Sequence, residues 1–212
     1  MSQGMKVDTE RTALLVIDMQ NAFLHPDGIL YMPSAEAMIP RLQGVVDTCR
    51  EAGVPVVWVR LSHEFMGTTI YRELWPDHFD ADGLPTLRRG SFDFELHKDL
   101  TVAPGDLILD KFKYTAFTGT NLETMLRQMG RDTVIIVGLA TNACCESTAR
   151  DAFFRDFKVI MVADANATIN DEMQKAALDN IAMLFGYVMT ADELAQALGA
   201  GRVSATQAVT DR

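Results

Sequence analysis

The sequence has few of the features that mark membrane, secreted or nucleic-acid-binding proteins. No apolar run approaches the roughly 20 residues that span a bilayer, and residues 1–10 are polar and lack the apolar centre of a signal peptide. Acidic residues outnumber basic ones by 29 to 19, so the formal net charge is -10. This charge argues against nucleic acids and anionic membrane surfaces as partners.

Cysteine is also scarce. The three cysteines are Cys49, Cys144 and Cys145, an odd number with one adjacent pair, which makes a poor disulfide framework. We therefore expect a cytoplasmic protein whose thiols are reduced.

The remaining composition is that of an ordinary globular protein. Of the 212 residues, 48% are hydrophobic and 23% are charged, which is enough to bury one core. We expect a single domain over 1–212, with flexible tails at 1–10 and 200–212.

Short apolar runs alternate with segments of helical spacing. The runs that predict strands are Thr12–Ile17, Pro55–Val59, Leu107–Leu109, Thr133–Val137, Lys158–Val162 and Tyr187–Met189. The segments that predict helices are Ala35–Ala52, Asn121–Gln128, Asn142–Phe154, Asp171–Phe185 and Ala191–Leu198.

This alternation predicts an α/β fold of three layers. The runs are apolar on both faces, as in a mostly parallel, Rossmann-like sheet of six strands covered by helices on both sides. Ligands of such sheets bind beyond the carboxyl ends of the strands. The segment Arg60–Lys98 has little regular pattern, and a connection of that length usually forms a lid or a pocket wall.

Three reactive side chains follow predicted strands. Asp18 ends the first strand, Lys111 follows the third, and Cys144 follows the fourth, where a helix begins. A nearby ammonium and a helix N-terminus would lower the pKa of a nucleophilic thiol, and a carboxylate would accept its proton. Taken singly, each residue also has an ordinary interpretation: a turn aspartate, a solvated lysine and a small buried cysteine.

Three blocks of the sequence, in order, resemble the isochorismatase-like cysteine hydrolases. They are LLVIDMQNAF, DKFKYTAFTGTNLETML and VGLATNACCESTARDAFFRDFKVIMVADA, and the resemblance runs from about Thr12 to Leu198. It implies the isochorismatase-like α/β fold and amide hydrolysis through a cysteine acyl-enzyme. It also implies a homodimer or homotetramer and a small-molecule substrate.

The resemblance assigns roles to the three reactive residues. Asp18 is the implied general base, Lys111 the implied cation beside the thiolate, and Cys144 the implied nucleophile, with Lys113 in support. Cys145 stands where the family commonly has valine, so we expect it to pack in the core.

The family also implies how the oxyanion is bound. A cis peptide bond is expected at Leu139–Ala140, and the backbone N–H groups of Ala140 and Cys144 are the expected donors to the oxyanion.

Departures from the family pattern narrow the range of possible substrates. The Asp-x-His metal motif of nicotinamidases is missing, so we expect no metal and no cofactor. The nucleophilic cysteine argues against the vinyl-ether hydrolysis of true isochorismatases. VRLSHEF lacks the asparagine and tryptophan that ureidoacrylate enzymes have there. We expect a small amide, ureido or carbamoyl compound.

Several side chains are candidates for binding that substrate. Aromatic or polar residues near the motifs or in the long segment are Phe23, Tyr114, Asn142, His63, Tyr71 and Trp75. Four arginines are candidates for holding a substrate carboxylate, with solvated surface charge as the ordinary alternative: Arg60, Arg72, Arg88 and Arg89.

Other functions stay open at this point. An isochorismatase-type or nicotinamidase-like hydrolase is the enzymatic alternative. A thiol redox or peroxide sensor that uses Cys144 and Cys145 is a second, although neighbouring cysteines form only a strained disulfide. A binding or assembly protein without catalysis is a third.

Overall fold

Six strands form one sheet in the computed structural model, which describes residues 6–65 and 70–199. All neighbouring strands are parallel, in the order β3-β2-β1-β4-β5-β6. The strands are β1 (Thr12–Ile17), β2 (Val56–Leu61), β3 (Leu107–Lys111), β4 (Thr133–Leu139), β5 (Lys158–Ala167) and β6 (Tyr187–Met189). The mostly parallel sheet predicted from the sequence is thus parallel throughout.

Helices cover both faces of this sheet. They are α1 (Asn21–Leu24), α2 (Pro33–Glu36), α3 (Ile39–Glu51), α4 (Tyr71–Leu74), α5 (Leu122–Gln128), α6 (Glu146–Phe154), α7 (Asp171–Leu184) and α8 (191–199). One core cluster contains Leu42 of α3 and Leu194 of α8, and the other contains Leu126 of α5 and Ile181 of α7. The predicted three-layer α/β fold is confirmed. Among the described residues, no helix has the length and apolarity needed to cross a membrane.

Some element boundaries differ from the predicted ones. The helix predicted over Ala35–Ala52 is divided into α2 and α3, and α3 begins one residue before Pro40. Proline is compatible with the first turn of a helix but not with its interior. β5 continues to Ala167, beyond its predicted end at Val162, because its register with β4 shifts and pairing then resumes at Asn166.

The predicted flexible tail 1–10 is wrong for residues 6–10. Val7 is buried, and its N–H donates to the carbonyl oxygen of Ala197 at 3.4 Å. Asp8 then caps a short 3-10 helix by accepting a hydrogen bond from the N–H of Glu10. Residues 1–5 and the predicted tail 200–212 lie outside the described residues.

From β1 the chain continues to β2 and β3 on one side of β1, and β4, β5 and β6 lie on the other side. The direction in which strands are added therefore reverses between β1 and β4. This is the position at which open parallel sheets bind ligands. Ile17 of β1 lies beside Gly138 of β4, and Gly138 has a φ of +121°. A Cβ atom there would lie 2.1 Å from the carbonyl oxygen of Ile17, so this close approach requires glycine.

Candidate active site

Asp18, Lys111 and Cys144 meet at the carboxyl end of the sheet, as the motifs predict. The Nζ atom of Lys111 lies 2.9 Å from Oδ2 of Asp18 and 3.3 Å from Sγ of Cys144. It also donates to the carbonyl oxygen of Lys113 at 3.1 Å, while the contact with Asp18 is an ion pair. We call Asp18, Lys111 and Cys144 the ion-pair floor. Asp18 and Lys111 are fully buried, and Cys144 is 5% exposed.

The turn after β1 aims Asp18 into the site. Asp18 has a φ of +54°, a conformation that aspartate tolerates better than most residues. Its N–H donates to the carbonyl oxygen of Val59, and its own carbonyl oxygen accepts from the N–H of Gln20. The buried amide of Gln20 bonds both the N–H and the carbonyl oxygen of Leu61, which fixes the ends of β1 and β2 together.

A π-helical turn, Thr141–Cys145, carries Cys144 and leads directly into α6. Such turns are rare and occur often at functional sites. The hydroxyl of Thr148 donates to the carbonyl oxygen of Cys144 at 2.7 Å and accepts from the N–H of Ala116 at 3.1 Å. The position of the thiol is therefore fixed from two sides.

Burial has the largest single effect on the pKa of each side chain in the ion-pair floor. The pKa of Cys144 is raised to about 12, because burial and the Asp18 carboxylate together outweigh the opposing effect of Lys111. Burial also raises the pKa of Asp18, although Lys111 and a hydrogen bond with Cys144 oppose it. The pKa of Lys111 is raised to about 12, because Asp18 and Cys144 outweigh the opposing effect of burial.

These directions correct one expectation from the sequence. The lysine and the helix start were expected to lower the pKa of the thiol, but full burial beside a carboxylate raises it. The floor therefore holds a neutral thiol beside an ammonium, and the pKa of the neighbouring Asp18 carboxyl is raised by its burial.

A cavity of about 110 Å³ opens beside the floor. Its wall is largely apolar and aromatic. The lining residues are Asp18, Phe23, Leu30, Leu61, His63, Tyr71, His78, Tyr114, Ala140, Ala143 and Cys144.

The structure brings four of the six predicted binding residues to this cavity: Phe23, His63, Tyr71 and Tyr114. Asn142 and Trp75 do not line it. Asn142 is exposed and accepts a hydrogen bond from the hydroxyl of Thr168 at 2.6 Å. Trp75 lies behind the wall, where its ring stacks on His78.

Sequence reasoning missed Leu30, Leu61, His78 and Ala143 as lining residues. Leu61 and Ala143 are each next to a predicted feature, a strand end and the cysteine motif, and that proximity was a usable signal. His78 lies in the irregular segment, where no periodicity marks which face turns inward.

The cis peptide bond predicted at Leu139–Ala140 is wrong. No peptide bond among the described residues is cis, and Ala140 has an extended backbone with φ -81° and ψ 144°. Gly138, two residues earlier, has a positive φ. The carbonyl oxygen of Ala140 accepts from the N–H groups of Ala143 and Cys145, which closes the turn before Cys144.

The other two cysteines lie in the core. Cys145 is fully buried in the cluster that contains Ile181, which confirms the prediction that it packs. Cys49 is fully buried in the opposite cluster, and burial raises its pKa to about 12. All three cysteines are free thiols.

The four arginines proposed as carboxylate ligands have other partners. Arg60 and Arg89 both pair with Asp110. Arg88 pairs with Asp80, and Arg72 lies over a phenylalanine ring and bonds a backbone carbonyl. None of the four lines the cavity. Lys113, the predicted supporting cation, lies 4.9 Å from the ring centroid of Tyr71.

No group of three or more potential metal ligands occurs among the described residues.

Comparisons with known proteins agree with this geometry. A family model described as the isochorismatase domain matches residues 12–193. A ureidoacrylate amidohydrolase of Caulobacter segnis is 34% identical over 205 residues, which cover 89% of this chain and 86% of that protein.

Two solved structures are similar in fold and sequence. A cysteine hydrolase from Pseudomonas syringae pv. phaseolicola has a TM-score of 0.84 and 32% identity, covering 95% of this chain and 100% of that one. An N-carbamoylsarcosine amidase from Thermoplasma acidophilum has a TM-score of 0.74 and 32% identity, covering 86% of this chain and 97% of that one.

Proposed function

The chain belongs to the isochorismatase family of hydrolases, and from this premise we propose that it cleaves the C–N bond of a small amide, ureido or carbamoyl compound. The observation that carries the proposal is the ion-pair floor, with Lys111 within 3.3 Å of both Asp18 and the thiol of Cys144. The names of an amidohydrolase and an amidase among the relatives support the same bond type.

In the proposed mechanism, Asp18 removes the proton of Cys144 as the sulfur attacks the substrate carbonyl carbon. The C–S bond forms, and the carbonyl electron pair moves to oxygen. The C–N bond then breaks, the amine leaves with the proton from Asp18, and a thioester remains on Cys144. Water, deprotonated by the same carboxylate, hydrolyses the thioester and releases the acid.

Lys111 keeps this proton transfer electrically balanced. Before transfer the ammonium faces a carboxylate, and after transfer it faces a thiolate at a similar distance. A buried cation that contacts both groups lowers the cost of moving negative charge between them. This role requires Lys111 to stay protonated, which its raised pKa of about 12 supports.

We propose the backbone N–H groups of Ala140 and Cys144 as the oxyanion donors. Both residues line the cavity, and Cys144 lies in the π-helical turn that leads into α6. The substrate body would contact Phe23, Tyr71 and Tyr114, with Asn142 and Trp75 outside the cavity wall. The proposed reaction uses no metal and no cofactor.

Ammonia release from a panel of amides tests the proposal. The panel contains nicotinamide, ureidoacrylate, biuret, an N-carbamoyl amino acid, maleamate and benzamide, each with and without a chelator. We expect release from at least one compound that is unaffected by the chelator and lost in Cys144→Ala. Cys145→Ala is the matched control and should keep the activity. Activity that survives in Cys144→Ala, or that requires a metal, would contradict the proposal.

We further propose a cytoplasmic homodimer or homotetramer. Free thiols at Cys49, Cys144 and Cys145 support a reducing compartment. Large exposed apolar side chains on the α6 and α7 side, including Phe154, Met183 and Tyr187, support burial of that surface by a second copy. Light scattering after gel filtration tests the oligomeric state, and a monomer at micromolar concentration would contradict it.

A further inference from the structure

His63 lines the cavity and has a ring nitrogen without a hydrogen-bond partner. The residue is 1% exposed, and none of the described residues forms a hydrogen bond with its Nδ1 atom. A buried polar group without a partner destabilises the folded protein, and such groups commonly have a binding or catalytic role. A partner that arrives with the ligand would satisfy this nitrogen.

The fold holds the His63 ring in a fixed orientation. His63 follows the end of β2, and its N–H donates to the carbonyl oxygen of Leu87 at 2.8 Å. Its ring stacks on His78 with a centroid distance of 4.8 Å and an interplanar angle of 9°. Trp75 also stacks on His78, with a centroid distance of 5.7 Å and an interplanar angle of 12°, so His63 belongs to a group of three stacked aromatic rings.

Both histidines of the stack are neutral at pH 7. Burial lowers the pKa of His63 to about 3, with smaller effects from His78 and Lys111. Burial also lowers the pKa of His78, against the opposing charge of Asp77. A neutral imidazole offers one donor and one acceptor and no charge, so it suits an uncharged polar group.

The rest of the cavity suits a compact and uncharged ligand body. Of its lining residues, Asp18 alone has a carboxyl group, and that group lies 2.9 Å from the ammonium of Lys111. Phe23, Leu30 and Leu61 supply apolar surface. A volume of about 110 Å³ is comparable with the roughly 150 Å³ cavity that holds a benzene molecule in an engineered protein.

We propose that His63 is a positioning residue that binds an uncharged polar group of the substrate, and that the site thereby selects a compact amide whose body carries no charge. This inference rests on the proposed amide hydrolysis for its reaction but not for its binding.

Binding to the Cys144→Ala variant tests the inference without turnover. The probes are benzamide, its three ring-nitrogen analogues (picolinamide, nicotinamide and isonicotinamide) and 3-carbamoylbenzoate, each titrated by calorimetry. We expect one ring-nitrogen analogue to bind at least tenfold more tightly than benzamide, because its nitrogen reaches His63. We expect 3-carbamoylbenzoate to bind at least tenfold more weakly than benzamide.

Variants of His63 in the same background identify the source of selectivity. His63→Phe keeps the stacked ring but removes the nitrogens, and it should reduce the preference for the ring-nitrogen analogue to less than twofold. His63→Asn returns a polar atom and should restore part of the preference. His25→Phe, the same change at a histidine outside the cavity lining, should leave the preference intact.

The inference fails if the four neutral probes bind equally, if none of them binds, or if the preference survives in His63→Phe. It also fails if 3-carbamoylbenzoate binds as tightly as benzamide. Failure of the proposed function looks different: the probes bind with the expected ranking, but no amide is hydrolysed. Where turnover occurs, His63→Phe should raise KM for the preferred amide and leave kcat within about threefold.

Discussion

The ion-pair floor and the aromatic wall of the same cavity are built by opposite means. The floor consists of three buried polar side chains near the ends of strands. The ammonium of Lys111 contacts both the Asp18 carboxylate and the Cys144 thiol. We define the wall as the aromatic lining residues Phe23, His63, Tyr71, His78 and Tyr114. The rings of His63 and His78 stack, and those of Tyr71 and Tyr114 meet edge to face. The most buried polar member of the wall, His63, has a nitrogen without a partner.

This difference separates chemistry from selectivity. Groups that are paired with one another within hydrogen-bond distance are arranged for proton transfer, and changing one disturbs all of them. Rings with an unsatisfied polar atom are arranged to receive a ligand, and changing one should alter affinity. We therefore expect floor variants to lower kcat or stability and wall variants to change KM.

The largest effect should come from Cys144. Cys144→Ala removes the sulfur that forms the thioester in the proposed mechanism, and we expect kcat to fall by at least about 10⁴-fold. Cys145→Ala, one position along the chain but packed in the core, should keep kcat within about threefold. Steady-state ammonia release measures both, and an equal loss in the two variants would end the distinction between them.

The buried pair should dominate stability. Lys111→Met leaves the Asp18 carboxylate without its cation, and we expect the free energy of unfolding to fall by about 3–5 kcal/mol. Asp18→Asn leaves the lysine uncompensated and should cost a similar amount. The double variant should be more stable than either single variant, because it leaves no unpaired charge. Urea denaturation measures all three, and strictly additive losses would contradict a coupled pair.

On acidification, activity should be lost at a higher pH than the pH at which an ordinary aspartate is protonated. Asp18 acts as a base only when ionised, and burial raises its pKa. The acid limb of kcat/KM should therefore lie above the usual aspartate value of about 3.9. The raised pKa of Asp18 affects stability in the opposite direction. Its contribution to the free energy of unfolding is fully present below about pH 3.9 and is lost as the pH rises through the pKa of Asp18 in the folded protein. A pH profile that stays flat to pH 4 would contradict the buried base.

The smallest effect should come from the wall. Tyr114→Phe keeps the ring that meets Tyr71 edge to face at 5.3 Å and removes only a hydroxyl. A single hydrogen bond contributes about 0.5–1.5 kcal/mol, so we expect KM to rise by roughly two- to tenfold with little change in kcat. Tyr31→Phe, whose hydroxyl bonds Glu36 on the surface, is the matched control. A fall in kcat without a change in KM would place Tyr114 in the chemical step.

The floor was predictable from the sequence, and most of the wall was not. Asp18, Lys111 and Cys144 follow apolar runs that read clearly as strands, and parallel strands bring their carboxyl ends to one edge. His78 was missed and Trp75 was misplaced, because both lie in an irregular segment without periodicity to show which side chains turn inward. The raised pKa of Cys144 was also missed, since it depends on burial and on the side from which Asp18 approaches. The cis peptide bond expected at Leu139–Ala140 is not present.

Trapping the acyl-enzyme tests the central claim most directly. The amide that is hydrolysed fastest in the panel is mixed with wild type, Cys144→Ala and Cys145→Ala, quenched in acid within one turnover, and the intact protein mass is measured. The account predicts that wild type and Cys145→Ala gain the mass of the acyl group, whereas Cys144→Ala does not. A mass gain that persists in Cys144→Ala, or turnover by wild type and Cys145→Ala without any covalent species on the protein, would contradict nucleophilic catalysis by Cys144.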